Sequence, residues 1–230
     1  MKQSYLQTMS RGKIFAGLSQ SDILDMFSCL QPMVKQYKKG EYISREGEGF
    51  EALGFLLEGK ASVSKEKASG TRVVMTMLEP AAAFGEMAAF SEHSKWPASV
   101  QATEDCVVLF IPKSHIIGEC DKMCPWHRTL LTNFIRLISE RALMLSQKVE
   151  YLSIKSMRGK LSAFLLDRYK KNGEQNMFTI AFNRNELADY LNVSRPSMSR
   201  ELLKMKEEGV IDFHLSSFKI LDYQRLASYY

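Results

Sequence analysis

The chain has 230 residues, 45% of them hydrophobic and 25% charged, which suits a globular protein of one large domain or two modest ones. No apolar run approaches the roughly 20 residues that cross a bilayer, and residues 1–8 lack a secretory apolar core, so no membrane partner is expected and the cytoplasm is the expected compartment. The net charge of +5 is uneven: residues 1–154 carry 18 Lys/Arg against 17 Asp/Glu, and residues 155–230 carry 13 against 9. The positive excess therefore sits in the C-terminal third, where a polyanion-binding module would need it.

Ile14, Leu18, Ile23, Leu24, Phe27 and Leu30 read as short helical pieces, with Ser19 or Ser21 available as a cap before Asp22. From about Val34 to Ile111 short apolar or alternating segments recur between glycines: residues 41–43, 53–57, 61–64, 72–78, 98–102 and 106–111. That spacing predicts an all-β roll or barrel. Residues 80–90 interrupt it and read as a strand end turning through Gly85 into a short helix. The cysteines at 29, 106, 120 and 124 form no zinc-type double pair; Cys120 and Cys124 are the only close pair, and reduced thiols with no metal are expected.

Residues 125–152 read as one long helix. Leu130, Phe134, Ile138, Ala142, Leu145, Val149 and Leu152 follow one another at 4, 4, 4, 3, 4 and 3 residues, a seam of coiled-coil type that predicts a parallel homodimer. A second helix is expected over residues 155–169 and a short strand over 178–182. Asn183 followed three residues later by Glu186 is a capping signature opening a helix over 184–191, with Leu187, Ala188 and Leu191 facing inward. Residues 192–194 make a tight turn with Val193 as its plug, and Ser194 is placed to cap the next helix, 195–207. Pro196 fits because the first turn needs no N–H from it. Met198, Leu202 and Met205 share one face of that helix; Arg195, Ser199 and Arg200 share another, flanked by Ser197 and Lys204. Guanidinium forks, hydroxyls and an ammonium suit base edges and phosphates in a major groove. Strands near 209–213 and 218–221 around residues 214–217 complete a wing, so the order is helix, turn, helix, wing.

In this arrangement the sequence resembles the Crp/Fnr superfamily of bacterial transcription regulators over almost its full length. The matching stretches are Gly59 within residues 56–60, Phe84-Gly85-Glu86-Met87-Ala88, and above all residues 193–203. The resemblance implies an α+β architecture: a β-roll of the cyclic-nucleotide-binding jelly-roll type over 1–124, a dimerisation helix over 125–152 and a winged helix-turn-helix over 153–230. It implies a non-enzymatic homodimer that binds a near-palindromic operator in double-stranded DNA and contacts RNA polymerase, usually as an activator. By the same resemblance Arg200 reaches a guanine, Arg195 and Ser199 read or buttress neighbouring positions, and Ser197 holds a phosphate. Ser194, Asn183, Arg184 and Lys204 complete the expected DNA-facing set. The family commonly has Glu where this chain has Pro196, and proline cannot accept a hydrogen bond from a cytosine amino group. The hinge that reorients the DNA-binding part is expected near residues 153–156.

The input is less legible. In cyclic-nucleotide-binding members the glutamate at the position of Glu86 holds a ribose hydroxyl, and an Arg and a Ser or Thr hold the phosphate. Here Trp96 and Pro97 occupy those two positions and Lys95 is the nearest cation, which argues against cyclic AMP. An iron–sulfur centre lacks its N-terminal cysteine cluster. A haem- or redox-sensing regulator of the same family is kept as an alternative, with His93 and His127 as haem ligands ahead of His115 and His214. What remains is a small organic effector in a pocket formed by Phe84, Gly85, Glu86, Met87, Ala88, Trp96 and Pro97. Two further classes compete: a cupin-like metal enzyme, which the dispersed histidines do not support, and a cyclic-nucleotide-type regulatory module that does not act on DNA, which the helix-turn-helix opposes.

Overall fold

The computed structural model describes residues 2–66, 69, 72–92, 95–118 and 124–230. The chain separates into two compact units, Met1–Glu140 and Arg141–Tyr230. In the first, α1 (Gln3–Arg11), a 3-10 turn (Lys13–Phe15) and α2 (Gln20–Leu30) precede the strands. Helix α1 is absent from the sequence reading. Ser19 caps α2 as expected: its hydroxyl accepts from the Asp22 N–H, and the Asp22 carboxylate accepts from the Ser19 N–H in return.

Then follow β1 (Met33–Tyr37), β2 (Tyr42–Ser44), β3 (Ala52–Glu58), β4 (Ala61–Glu66), β5 (Arg72–Leu78), β6 (Ala83–Phe84), α3 (Glu86–Ala89), β7 (Ser99–Ala102), β8 (Cys106–Pro112) and α4 (Lys113–Ile117). All pairings are antiparallel, in two four-stranded sheets of order β1-β8-β3-β6 and β2-β7-β4-β5. Successive side chains of a strand point to opposite faces. Val108 and Phe110 of β8 therefore pack between the sheets with Leu56, Ala61, Val100 and Ala102. Val107, Leu109 and Ile111 face the helices with Leu53, Phe55 and Leu57 of β3. Burial on both faces is why these two strands read as continuous apolar runs.

Helix α5 (Pro125–Ser153) belongs to both units, which divide within it between Glu140 and Arg141. Its first half is held in the first unit. Trp126, Leu130, Phe134 and Leu137 are buried against the roll's helical layer, the Phe134 ring centroid lies 4.5 Å from that of Phe90, and the Asn133 amide donates to the carbonyls of Ile14 (3.1 Å) and Ala16 (2.7 Å). This corrects the expected seam: Leu130 and Phe134 serve their own chain's core.

The second unit contains the end of α5, α6 (Met157–Lys171), β9 (Met177–Thr179), α7 (Arg184–Leu191), α8 (Arg195–Glu207), β10 (Ile211–His214), β11 (Ser217–Ile220) and α9 (Tyr223–Ala227), with the sheet ordered β10-β11-β9. Tyr151 is buried beside Phe164 and Tyr190, with centroids 6.0 and 5.9 Å away, and Ile154 and Met157 pack on the same core. Burial pushes the Tyr151 hydroxyl well above its ordinary value, and the neighbouring Asp167 carboxylate adds to this. Residues 153–156, expected to be the hinge, are thus flanked by anchored side chains. Among the described residues no helix is long and apolar enough to cross a membrane.

Candidate nucleic-acid interface

The pair α7 and α8 is set by local chemistry at both ends. Asn183 Oδ1 accepts from the N–H groups of Asn185 (2.9 Å) and Glu186 (3.0 Å), and the Glu186 carboxylate accepts from the Asn183 N–H (2.7 Å). Helix α7 stops because Asn192 turns into the left-handed region at φ +52°, a conformation asparagine tolerates. The Val193 N–H donates back to the Ala188 carbonyl at 2.9 Å, and Val193 itself is half-buried. Pro196 lies in the first turn of α8, as expected; Ser194 is the cap residue, but its side chain makes no capping hydrogen bond.

Helix α8 has two distinct sides. Met198, Leu202 and Met205 are fully buried with Leu187, Leu191, Ile211 and Phe218. Arg195, Arg200 and Lys204 are exposed, and Ser197 and Ser199 are half-buried between them. Arg200 makes two long contacts, both on its own helix, to the Pro196 carbonyl and the Ser197 hydroxyl at 3.4 Å each. Bonds of that length are weak, so the guanidinium is held loosely on the outer face.

A charged clamp fixes the far end of the helix. Arg158 of α6 donates twice to the Glu208 carboxylate (2.7 and 2.9 Å) and once to Glu201 (2.6 Å), and its guanidinium lies 4.9 Å from the Tyr229 ring centroid. Arg225 of α9 donates to the same Glu208 carboxylate at 2.9 Å. Hydrogen bonding from Arg158 holds Glu208 below the usual carboxylate range. The wing hairpin turns at Leu215, exposed and at φ +50°, and Lys206 pairs with Asp212 of β10 at 2.6 Å. Arg184, expected to face DNA, is half-buried with its guanidinium 4.8 and 5.0 Å from the ring centroids of Phe213 and Phe218. It therefore braces the wing against α7, and Asn183 is committed to its cap. Sequence reasoning missed Arg158, whose partners lie 43 and 50 residues away.

In the first unit Phe84, Glu86, Ala88 and Trp96 are buried together around Gly85. Gly85 adopts φ +90°, and a Cβ there would meet the Phe50 ring at 2.2 Å, so glycine is required twice over. Phe50, absent from the expected set, lies 5.0 Å from Trp96 and 6.1 Å from Phe110 between ring centroids. Met87 is 57% exposed and Pro97 is exposed, so neither lines this interior, contrary to expectation. Lys95 is exposed as well. Of the histidines considered for haem, His93 lies outside the described residues. His127 is buried with Nε2 2.8 Å from the Ile116 carbonyl oxygen, a contact that requires a proton on that nitrogen and takes it from an iron.

Two family models match: "Cyclic nucleotide-binding domain" over residues 34–122 and "Crp-like helix-turn-helix domain" over residues 159–229. The chain is a Crp/Fnr-type transcriptional regulator. It is 22% identical over 228 residues to a CRP-like cAMP-activated global transcriptional regulator of Mycobacterium tuberculosis, covering 96% of this chain and 97% of that one. To the anaerobic regulatory protein of Bacillus subtilis it is 24% identical over 218 residues, covering 90% of each. The crystal structure of the Thermus thermophilus catabolite activator protein shares the fold with a TM-score of 0.55 at 22% identity, covering 95% of this chain and 98% of that one. Proteins of the Crp/Fnr family so named are regulators rather than enzymes, and the roll followed by a Crp-like helix-turn-helix is the architecture expected from the sequence.

Proposed function

We propose that this Crp/Fnr-type regulator works as a homodimer that reads a near-palindromic operator with one α8 per protomer, contacts RNA polymerase in the cytoplasm and activates transcription. The observation that carries the DNA reading is α8 itself: a helix sealed on Met198, Leu202 and Met205 that leaves Arg195, Arg200 and Lys204 outward. On this reading Arg200 takes a guanine, Arg195 and Ser199 contact neighbouring positions, and Lys204, Ser197 and Ser194 lie along the phosphates.

The dimer reading keeps the expected row of α5 from Ile138 to Leu152 and starts it at Ile135 in place of Leu130 and Phe134. Ile135, Ile138, Ala142, Leu145, Val149 and Leu152 recur at 3, 4, 3, 4 and 3 residues, the heptad spacing of a two-stranded seam. Ile138 is half-buried, whereas Ile135, Leu145 and Val149 are 63%, 56% and 65% exposed in the single chain. Leu145→Asp would set two carboxylates against each other across a two-fold axis. The expected result is a monomer in sedimentation, with operator affinity, on a duplex recovered from a random pool, falling steeply. A dimer of unchanged affinity refutes the proposal.

For the input we propose a small organic effector at the buried group formed by Glu86, Phe84 and Trp96 beside Gly85 and Ala88, and not cyclic AMP. The two phosphate-binding positions implied by the resemblance hold a tryptophan packed into the aromatic interior and an exposed proline. Relatives named for cAMP and for anaerobic regulation both match, so the match does not carry one signal over. Thermal melting with cyclic AMP tests this. No shift is expected, and a rise in melting temperature that saturates with ligand refutes it.

A further inference from the structure

Cys29 and Cys124 are 95 residues apart in sequence, yet their sulfurs are 3.9 Å apart. Cys29 is the penultimate residue of α2, and Cys124 immediately precedes α5. We propose that these two thiols form an oxidisable pair that closes to a disulfide on exposure to a peroxide, joining the end of α2 to the start of the long helix. Both are half-buried, so a small oxidant can reach them.

The fold presents them to each other on anchored backbone. Ile23, Met26 and Leu30 of α2 and Trp126 and Leu130 of α5 are buried in one cluster, on which both cysteines pack. The Cys124 carbonyl accepts from the His127 N–H at 3.1 Å, and the Leu30 carbonyl lies 2.8 Å from Nδ1 of His115. Closing from contact to a bond of about 2.05 Å asks the sulfurs to approach by about 1.9 Å, within the reach of side-chain rotation. The loop-closure entropy across the intervening residues has been met by folding, so the pair behaves as an intramolecular dithiol.

The chemistry balances with peroxide as the oxidant. One thiolate attacks a peroxide oxygen, the O–O bond breaks, and a sulfenic acid and water result. The second sulfur attacks the sulfenic sulfur, its S–H proton leaves with the displaced hydroxide as a second water, and the S–S bond forms. Two thiols give two electrons to one peroxide, and a thiol reductant reverses the step. Cys106 provides an internal contrast. Its thiol is buried on β8 and donates to the carbonyls of Lys60 (3.1 Å) and Glu104 (3.2 Å). Burial raises its pKa and makes it a poor nucleophile. Cys120 lies outside the described residues.

The test treats the full chain with hydrogen peroxide, blocks remaining thiols with iodoacetamide and maps the products by mass spectrometry without reduction. The expected product is a Cys29–Cys124 linked peptide, two hydrogens lighter than its parts. It should vanish in Cys29→Ser and in Cys124→Ser, persist in Cys120→Ser and Cys106→Ser, and disappear on reduction. Circular dichroism melts confirm that each variant is folded. In urea the preference for this pairing should be lost, because the fold creates it. A Cys120–Cys124 link in the folded wild type, a link between two chains, or full alkylation of both Cys29 and Cys124 after peroxide would each overturn the proposal.

Discussion

Arg200 and Leu202 stand two residues apart on α8 and point in opposite directions, so truncating each separates recognition from folding. Leu202 is fully buried among Met198, Met205 and the α7 stripe. Leu202→Ala deletes the isobutyl group and leaves a cavity that the two clamped helices cannot close, a loss of about 2–5 kcal/mol of stability. Arg200 is exposed, and its contacts are two 3.4 Å bonds to its own helix. Arg200→Ala should therefore change stability by no more than about 0.5 kcal/mol. Its operator affinity should fall by about 1–3 kcal/mol for each half-site it reads, with discrimination at the contacted base pair relaxed. Urea denaturation followed by circular dichroism gives the first quantity. Fluorescence anisotropy at one fixed salt concentration gives the second, with the selected operator set against a duplex altered at the guanine. If Arg200→Ala binds with unchanged affinity and sequence preference, or destabilises the chain as much as Leu202→Ala, the assignment of the two faces is wrong.

Asn183→Ala removes the acceptor for two backbone N–H groups of α7 and should cost about 0.5–2 kcal/mol in urea denaturation, whereas Asn183→Asp keeps an acceptor and should retain most of it. Gly85→Ala places a methyl group against the Phe50 ring at φ +90°; a loss of about 1–3 kcal/mol is expected, read as a lower melting temperature, and an unchanged melt would contradict the packing described. Glu208 is held below its ordinary value of 4.5, chiefly by Arg158, so the folded state binds its proton more weakly than the unfolded chain does. The clamp's contribution is present above pH 4.5 and is lost as pH falls through the depressed folded value. Stability of wild type and Glu208→Gln, compared from neutral pH downward, should converge in acid; a constant difference would remove the carboxylate from the account.

The roll, the long helix and the winged helix-turn-helix are legible in the sequence because their signals are short-range. The Asn183–Glu186 capping box, the Pro196 position and the turn at Gly85 each depend on residues within four positions of one another. Helix α1 escaped because its nine residues offer a weak start: Lys2, at its cap position, supplies no side-chain cap. The first two seam positions, Leu130 and Phe134, are a different matter. A repeat of four and a repeat of three and a half select diverging stripes along one helix. Local spacing could not show that the first half of α5 lies on the roll's own helical layer, which absorbs Leu130 and Phe134 and leaves Ile135 outside.

Taken alone, the sequence determined what hydrogen-bond chemistry and hydrophobic period decide within a few residues: where elements start and stop, which side of α8 is apolar, and which side carries arginine. Tertiary structure decided which exposed-looking groups were already engaged. It turned Arg184 onto the Phe213 and Phe218 rings, tied Glu208 to Arg158 and Arg225, set Phe50 against Trp96 and Phe110, and set Cys29 beside Cys124. These contacts join residues that are 17 to 95 positions apart. No periodicity encodes them, because each arises from two surfaces that meet only after the chain has folded.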